Sequence, residues 1–493
     1  MLVIAAAVVL FRGPALLQSV AGADEGLFAL ASREWVNGHL PYTTVWESKP
    51  PLFFALLAAA MVVFGKSMLG VRLATDAAIG ATAFALYFLG TSVRRGGHAI
   101  GLTAALLYVA LTISDSGLSG VAEAFSTPFI AIPLAIVLRG SWPPASHRFL
   151  RLTALGVCLG CAVLVKQSAL LEAAYVACVV VWVSDARALI PLGLGSGLSL
   201  GASILPYLAT RNVGLYWDAN VMSLVRRAFV SIPDVAPWSD ILRAQLLAFF
   251  PATLLVFGVG WVWRREETDF EERGLVVAMT GWALVNAVTV VLLREYLGNH
   301  FIPLMAPVCV LSALVTVRLA EQLRRRALVP AVIALALLAH AGYQFVLAAP
   351  VAYGRLRFHD PAYGDPTAQL ARFIVARRGP QQVLYVADDR TVLYVLTNAS
   401  PPTRFAYPPH LLDRSRELVA GVDGPREIAR ILSRHPAYVV RDLANRRAED
   451  PRGAALLDRN LSSGYRIVYT LGTRIVYAAA GQNAADTPSL RDR

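Results

Sequence analysis

Two successive carboxylates, Asp24-Glu25, and the run Trp46-Glu47-Ser48-Lys49-Pro50-Pro51 hold most of the chemical content of the first fifty residues. A carboxylate within a few residues of the end of an apolar segment can take the proton from an attacking hydroxyl. Read alone, Asp24 and Glu25 are equally a pair of solvated loop carboxylates. Lys49 stands just before two prolines that open a short apolar stretch. A compact ammonium at headgroup depth suits a lipid-linked phosphate, although an interfacial lysine also snorkels without any ligand. Glu123 falls in the first turn of a later apolar run, where a carboxylate is costly and marks a functional candidate. Arg294 and His300 bracket the turn Arg294-Glu295-Tyr296-Leu297-Gly298-Asn299-His300 and add a cation and a titratable ring. A lone histidine is more often structural, but several such groups at one membrane face point to a site.

Those residues need elements to position them, and the composition says which. Of 493 residues, 56% are hydrophobic and 16% charged, against about a quarter charged in soluble domains. That excludes an ordinary cytosolic protein. The net charge of +12, from 45 Lys+Arg and 33 Asp+Glu, would suggest nucleic acid on a soluble chain; in a membrane protein it must first be divided by side. Only Lys49, Lys66 and Lys166 are lysines, so a lysine retained in an arginine-rich chain carries some information. Cys158, Cys161, Cys178 and Cys309 all lie in apolar runs and indicate neither a disulfide framework nor a zinc cluster; Cys158 and Cys161 read as helix packing and not as a redox pair.

Apolar runs near the ~20 residues that cross a bilayer occur at about 1–19, 70–92, 98–113, 119–138, 151–166, 168–184, 189–209, 241–263, 274–293, 299–319 and 327–349. The expected fold is therefore a polytopic α-helical membrane protein with about eleven crossings, or twelve to thirteen if further segments span. The first run contains Arg12 and no small-x-small cleavage site follows it, so it reads as an uncleaved helix. Residues 51–65 would rise only about 22 Å as a helix, short of the ~30 Å core, and read as re-entrant or interfacial. Counted this way, one side collects Arg94, Arg95, Arg139, Arg148, Arg151, Arg187, Arg264, Arg265, Arg273, Arg318 and Arg324 to Arg326. The positive-inside rule makes that side cytoplasmic. The loops at 20–50, 114–118, 166–168, 210–240 and 294–299, and the C-terminal region, then face outward.

Gly193, Gly197 and Gly201 recur every four residues and are expected to form a flat helix-packing stripe. After residue 350 the pattern changes to that of a small α/β domain, residues 351–480. Its expected order is helix 367–377, strand 382–387, helix 390–396, a short strand near 404–407, helix 414–433, strand 437–441 and a hairpin over 465–478 turning at Leu471-Gly472. The tail 481–493 is polar and reads as disordered. The long outward loop 210–240 carries Tyr216, Trp217, Asp218, Arg226, Arg227 and Trp238; it could close over a bound donor, or be an inert connector.

Asp24-Glu25-Gly26 with Phe28-Ala29, Gly38-x-x-Pro41-Tyr42, Trp46-x-x-Lys49-Pro50-Pro51-Leu52, Phe64-Gly65 and Arg72-Leu73 together resemble the first outer loop of the GT-C membrane glycosyltransferases. The closest groups are the protein O-mannosyltransferase-like family and its bacterial relatives, including the aminoarabinose transferase of lipid A. A weaker likeness runs to His300-x-x-Pro303, so residues 1–350 would form the transferase domain with 20–50 as its catalytic loop. The resemblance implies a multi-pass enzyme of the bacterial plasma membrane, with its site and C-terminal domain on the extracytoplasmic side. It would transfer a sugar, with inversion, from a polyprenyl-phosphate donor to a glycan, lipid or protein acceptor. By motif match Asp24 would be the catalytic base with Glu25 its neighbour. Lys49 would contact the donor phosphate, where protein mannosyltransferases carry histidine, and Glu123 falls where relatives have a second acidic residue. Arg294 and His300 could join Lys49 on the phosphate.

No nucleotide-binding fingerprint and no nucleic-acid partner is expected, because the lipid carries the activated sugar. No cofactor is required by this chemistry. A divalent metal at Asp24 and Glu123 would have two carboxylates without a histidine or third ligand, a weak case. The competing reading is a transporter or flippase of lipid-linked saccharides. Such proteins tend to show paired repeats and broken helices at the midplane; no repeat is evident, and the suspicious charges sit at the outer interface.

Overall fold

Every apolar run expected to cross the membrane is helical in the computed structural model of the chain, which describes residues 1–113, 117–140, 145–230, 238–293, 296–448 and 450–480. Among the described residues, six helices are long and apolar enough to span alone: Met68–Gly90, His147–Val165, Ala186–Ala209, Phe270–Leu293, Gly298–Gln322 and Leu328–Phe358. The run expected at 241–263 is a broken pair, Ser239–Ala248 and Ala252–Arg264, bent by 96°. Leu2–Leu17, Gly97–Leu111, Ala122–Leu138 and Ala169–Val183 are shorter apolar helices. Pro51–Phe64 is the short segment flagged by length: it opens with proline at its first turn and stops at Gly65, whose φ of +90° no continuing helix adopts. Leu198, Leu205, Leu284, Leu292 and Leu338 are at least 60% exposed, an apolar surface of the kind that lipid covers.

Three of the arginine-rich connections meet. Arg94 pairs with Glu271 and Arg95 with Glu267, each at 2.9 Å, while buried Arg318 pairs with Glu272 at 2.8 Å and donates to the Arg95 carbonyl. Arg12, the charge inside the first apolar run, is fully buried. Its guanidinium is satisfied by Asp76, the Thr112 carbonyl at 3.1 Å and the Gly117 carbonyl at 2.6 Å, which is how a cation is tolerated at that depth.

The glycine stripe is a correction. Gly193, Gly197 and Gly201 face open space, and the close approach is made one face over. A Cβ on Gly195 would sit 2.0 Å from the Thr153 carbonyl oxygen, and one on Gly156 would sit 2.1 Å from that of Leu192. The small-residue pattern does mark this helix pair, but the partner's own Gly156 and Gly160 select which face packs.

Beyond the last apolar helix a four-stranded sheet runs in the order β1-β2-β4-β3, with β1 (Leu384–Val386), β2 (Tyr438–Asp442), β3 (Tyr465–Leu471) and β4 (Arg474–Ala479). Only β1 and β2 are parallel. Three expectations fail here. Residues 404–407 form a connection of bends without strand pairing. The expected helix 414–433 is two, Arg414–Ala420 and Gly424–Leu432, broken where Gly421 turns left-handed at φ +66°. A helix over Pro451–Gly464 was not anticipated. The tail 481–493 lies outside the described residues.

Candidate active site

Asp24 is the N-cap of the helix Glu25–Val36, yet its carboxylate makes no capping bond. It instead accepts a 2.8 Å hydrogen bond from the Tyr407 hydroxyl, contributed by the C-terminal domain. Burial pushes the Asp24 carboxyl above the usual aspartate range, with Glu47 adding to the rise; Lys49, the Tyr407 hydrogen bond and Arg416 oppose it. The result is a carboxylate that holds a proton more readily than a solvated one, which is what a base needs.

The next two residues of the motif do different work. Glu25 is fully buried and points away from Asp24: it pairs with Arg72 at 2.6 Å and accepts the backbone N–H groups of Ala21 and Gly120 at 3.0 and 2.9 Å. Its expected place beside Asp24 is therefore one of sequence; the side chain anchors the loop to the helix bundle. Gly26 passes the C-terminal domain so closely that a Cβ would lie 2.4 Å from the Val392 backbone nitrogen. Buried Arg33, two turns along, donates at 2.7 Å to the carbonyls of Tyr394 and Ala399. This helix is thus clamped between bundle and domain, and Asp24 at its start inherits a fixed position.

Lys49 is held by the backbone before it. Tyr42 donates to the Lys49 carbonyl at 2.7 Å and Gln167 to that of Ser48 at 2.7 Å. The Trp46 N–H donates to the Arg404 carbonyl at 2.7 Å, and its indole N–H to Asp218 at 3.1 Å. Bundle, outward loop and C-terminal domain each contribute one tether. The ammonium stays half-open, 3.9 Å from Glu47 and 5.8 Å from the centre of the Phe28 ring.

Asp24, Lys49, Glu123 and His300 all line one cavity of about 330 Å³. One oxygen of buried Glu123 accepts from Lys166 at 2.6 Å and Asn299 at 2.7 Å, with the His300 Nε2 at 3.7 Å. The other Glu123 oxygen, His300 Nδ1 and the Ser119 hydroxyl have no hydrogen-bond partner among the described residues, although all three belong to the cavity wall. Buried polar atoms are rarely left so, and a polar ligand in the cavity would satisfy them. Arg294 lies outside the described residues.

Sequence reasoning missed the contribution from the far end of the chain: Tyr407, His410 and Arg416 line the same cavity, as does Arg227 from the outward loop. His410 packs edge-on against Trp46 with ring centres 4.9 Å apart, and burial, with Arg416 and Lys49 nearby, lowers its pKa to about 3 despite Asp413. It is neutral at physiological pH. Lys166 was also missed, though its rarity was a signal: two of the three lysines stand at this site, and only Lys66 lies elsewhere, donating to Asn37. The loop 210–240 is helical over Val213–Phe229, and Arg226 ties it to the domain through the Val419 carbonyl at 2.9 Å; residues 231–237 lie outside the described part.

No family model matches the chain, and no curated protein matches it by sequence. Solved structures do. A crystal structure of ArnT from Cupriavidus metallidurans bound to undecaprenyl phosphate superposes with a TM-score of 0.71 at 15% identity, covering 99% of this chain and 98% of that one. The same protein in the apo state gives 0.67 at 15% identity, covering 97% of each chain. The archaeal oligosaccharyltransferase AglB from Archaeoglobus fulgidus, in complex with an inhibitory peptide and a dolichol-phosphate, gives 0.51 at 14% identity over 98% of this chain and 75% of that one. At such identities the likeness speaks to architecture, and the architecture is plain: the chain has the GT-C membrane fold, a helical bundle whose C-terminal α/β domain closes over its first loop.

Proposed function

We propose that the protein is an inverting glycosyltransferase that moves a sugar from a polyprenyl-phosphate donor to an acceptor on the extracytoplasmic face of the plasma membrane. The observation that carries the proposal is the single cavity in which a half-buried Asp24, its pKa raised, meets Lys49, Arg227, His300 and Arg416. The lipid phosphates bound to ArnT and AglB, which share the fold, support a donor of that class.

In this reaction the acceptor oxygen attacks the anomeric carbon as its proton passes to Asp24. The bond from that carbon to the phosphate breaks, and the phosphate oxygen keeps the electron pair. Negative charge grows on the phosphate, and preformed cations facing it stabilise the transition state. Lys49 is the best placed to do so, since three backbone tethers hold it and it is not consumed by a close ion pair. Glu123 has a positioning role: it gathers Lys166, Asn299 and His300 at one wall. Side-chain cations carry the phosphate charge in this proposal, without a metal.

Lys49→Ala should weaken binding of undecaprenyl phosphate to the purified protein about tenfold, the loss of one charge-assisted contact, with little change in folding because the side chain is part-exposed. An unchanged affinity would remove Lys49 from the donor site. Orientation is tested separately: reporter fusions after Arg95 and Arg326 should read cytoplasmic and one after Gly354 extracytoplasmic. A cytoplasmic reading at 354 would invert the proposed sidedness.

A further inference from the structure

A groove runs between two membrane helices at the end of the bundle remote from Asp24. Met68–Gly90 contributes Ala81, Phe84, Ala85 and Phe88 to it. Ala122–Leu138 contributes Ile132, Ala135 and Ile136, followed by Arg139, which ends that helix. Both sets follow the spacing i, i+3, i+4, i+7 of a single helix face. Two such stripes bound a cavity of about 490 Å³, within the size range of small-molecule sites. Ala85 and Ala135 are buried and form its floor, while Ile132 and Ile136 are exposed and form its rim. Arg72, earlier on Met68–Gly90, holds Glu25 at the other end of the bundle. A rise of 1.5 Å per residue places Phe88 about 24 Å further along that helix. The groove therefore lies toward the membrane face opposite Asp24, the face that the positive-inside rule makes cytoplasmic.

The mouth of the groove carries two guanidinium groups. Arg139 is exposed and lies 5.0 Å over the centre of the Phe88 ring; it makes no ion pair among the described residues. Half-buried Arg151, from the start of His147–Val165, lines the same mouth. Arg94, Arg95, Arg148 and Arg318 each pair with a carboxylate, whereas no carboxylate is among the described residues that line the groove. A guanidinium stacked on a ring keeps its N–H edge for an anion. An apolar channel ending in two such cations at headgroup depth matches a hydrocarbon chain that carries a phosphodiester. We propose that the groove is a binding site for an anionic glycerophospholipid of the cytoplasmic leaflet. One acyl chain lies over Ala85 and Ala135, and the phosphate is held by Arg139 and Arg151. The lipid fills the gap between Met68–Gly90 and Ala122–Leu138, bracing the bundle without touching the Asp24 cavity. This inference stands independently of the transferase reading.

A lipid that binds the folded state raises the thermal midpoint by mass action, which gives the test its readout. The purified full-length protein in detergent is titrated with phosphatidylglycerol or with phosphatidylcholine of the same acyl chains, as wild type, Arg139→Gln, Ile136→Trp and Arg94→Gln. Phosphatidylglycerol should raise the wild-type midpoint saturably, and phosphatidylcholine at the same concentrations should do so far less. Arg139→Gln should weaken the apparent affinity for phosphatidylglycerol about tenfold, the loss of one charge-assisted contact. Ile136→Trp fills the groove from its rim, leaves both arginines in place and should lose the response as well. Arg94→Gln, an arginine outside the groove, should respond as wild type does. Equal wild-type responses to the two lipids would overturn the headgroup assignment, and a full response in Arg139→Gln or Ile136→Trp would overturn the site. An equal loss in Arg94→Gln would also overturn it, by showing diffuse attraction to a basic surface.

Discussion

Asp24→Asn is expected to lower sugar transfer by about 10² to 10⁴ fold, the usual contribution of a positioned base, in a protein that still folds and still binds a polyprenyl phosphate. The amide keeps the size of the carboxylate and can still pair with the Tyr407 hydroxyl, so only the proton acceptor is lost. The same burial that would suit Asp24 to the proposed role of base makes it a cost to the fold. Its folded-state pKa is raised above the unfolded value, so its protonated form favours the folded state at low pH. That contribution is lost as pH rises through the raised pKa, and at neutral pH the ionised carboxylate is a net penalty. The thermal midpoint of Asp24→Asn at neutral pH should accordingly equal or exceed that of wild type. In wild type, kcat/KM should fall on the acid side, with a midpoint above the ordinary aspartate value. Wild-type turnover by Asp24→Asn would remove Asp24 from the chemistry.

Glu25→Ala should do the reverse to stability. Glu25 is the counter-charge of buried Arg72, whose only other hydrogen-bond partner among the described residues is the Leu118 carbonyl at 2.7 Å. Removing it strands a buried guanidinium together with the N–H groups of Ala21 and Gly120. Breaking a buried pair from one side costs about 3–5 kcal/mol, which should appear as a marked drop in the thermal midpoint. Activity would fall with it, because Asp24 is positioned by the same turn. Glu25→Gln, which keeps the shape and one acceptor, should lie between. A melting profile for Glu25→Ala indistinguishable from wild type would show that the anchor is not Glu25. Two adjacent carboxylates would thus be separated by experiment into one that reacts and one that holds.

That separation shows where the sequence was readable and where it was not. Asp24, Lys49, Glu123 and His300 stood out because each is a polar group where apolar residues are the rule, and the fold brings all four to one cavity. Glu25 stood out equally, but successive residues at a helix start point about 100° apart, and only the partner, Arg72, decides which way each turns. The sites on Tyr407, His410 and Arg416 gave no local signal. They lie nearly four hundred residues from Asp24, in a stretch that reads as an ordinary surface strand and helix, and they acquire meaning only when the domain packs on the first loop. The glycine stripe failed for a related reason: periodicity marks a packing helix, while the partner's surface chooses the face. The helix Pro451–Gly464 could have been found, since Asp450 before Pro451 is a cap-and-start pair and does accept the Arg452 N–H at 2.9 Å.

The central claim is that this chain transfers a sugar and that Asp24 takes the acceptor's proton. Its most direct test is the mass of the envelope components in a strain lacking the gene, complemented with wild type or with Asp24→Asn at matched protein levels. The prediction is a single sugar increment on one class of component with wild type and its absence with Asp24→Asn. Spectra that do not change when the wild-type gene is restored, or an increment of equal size with Asp24→Asn, would contradict it.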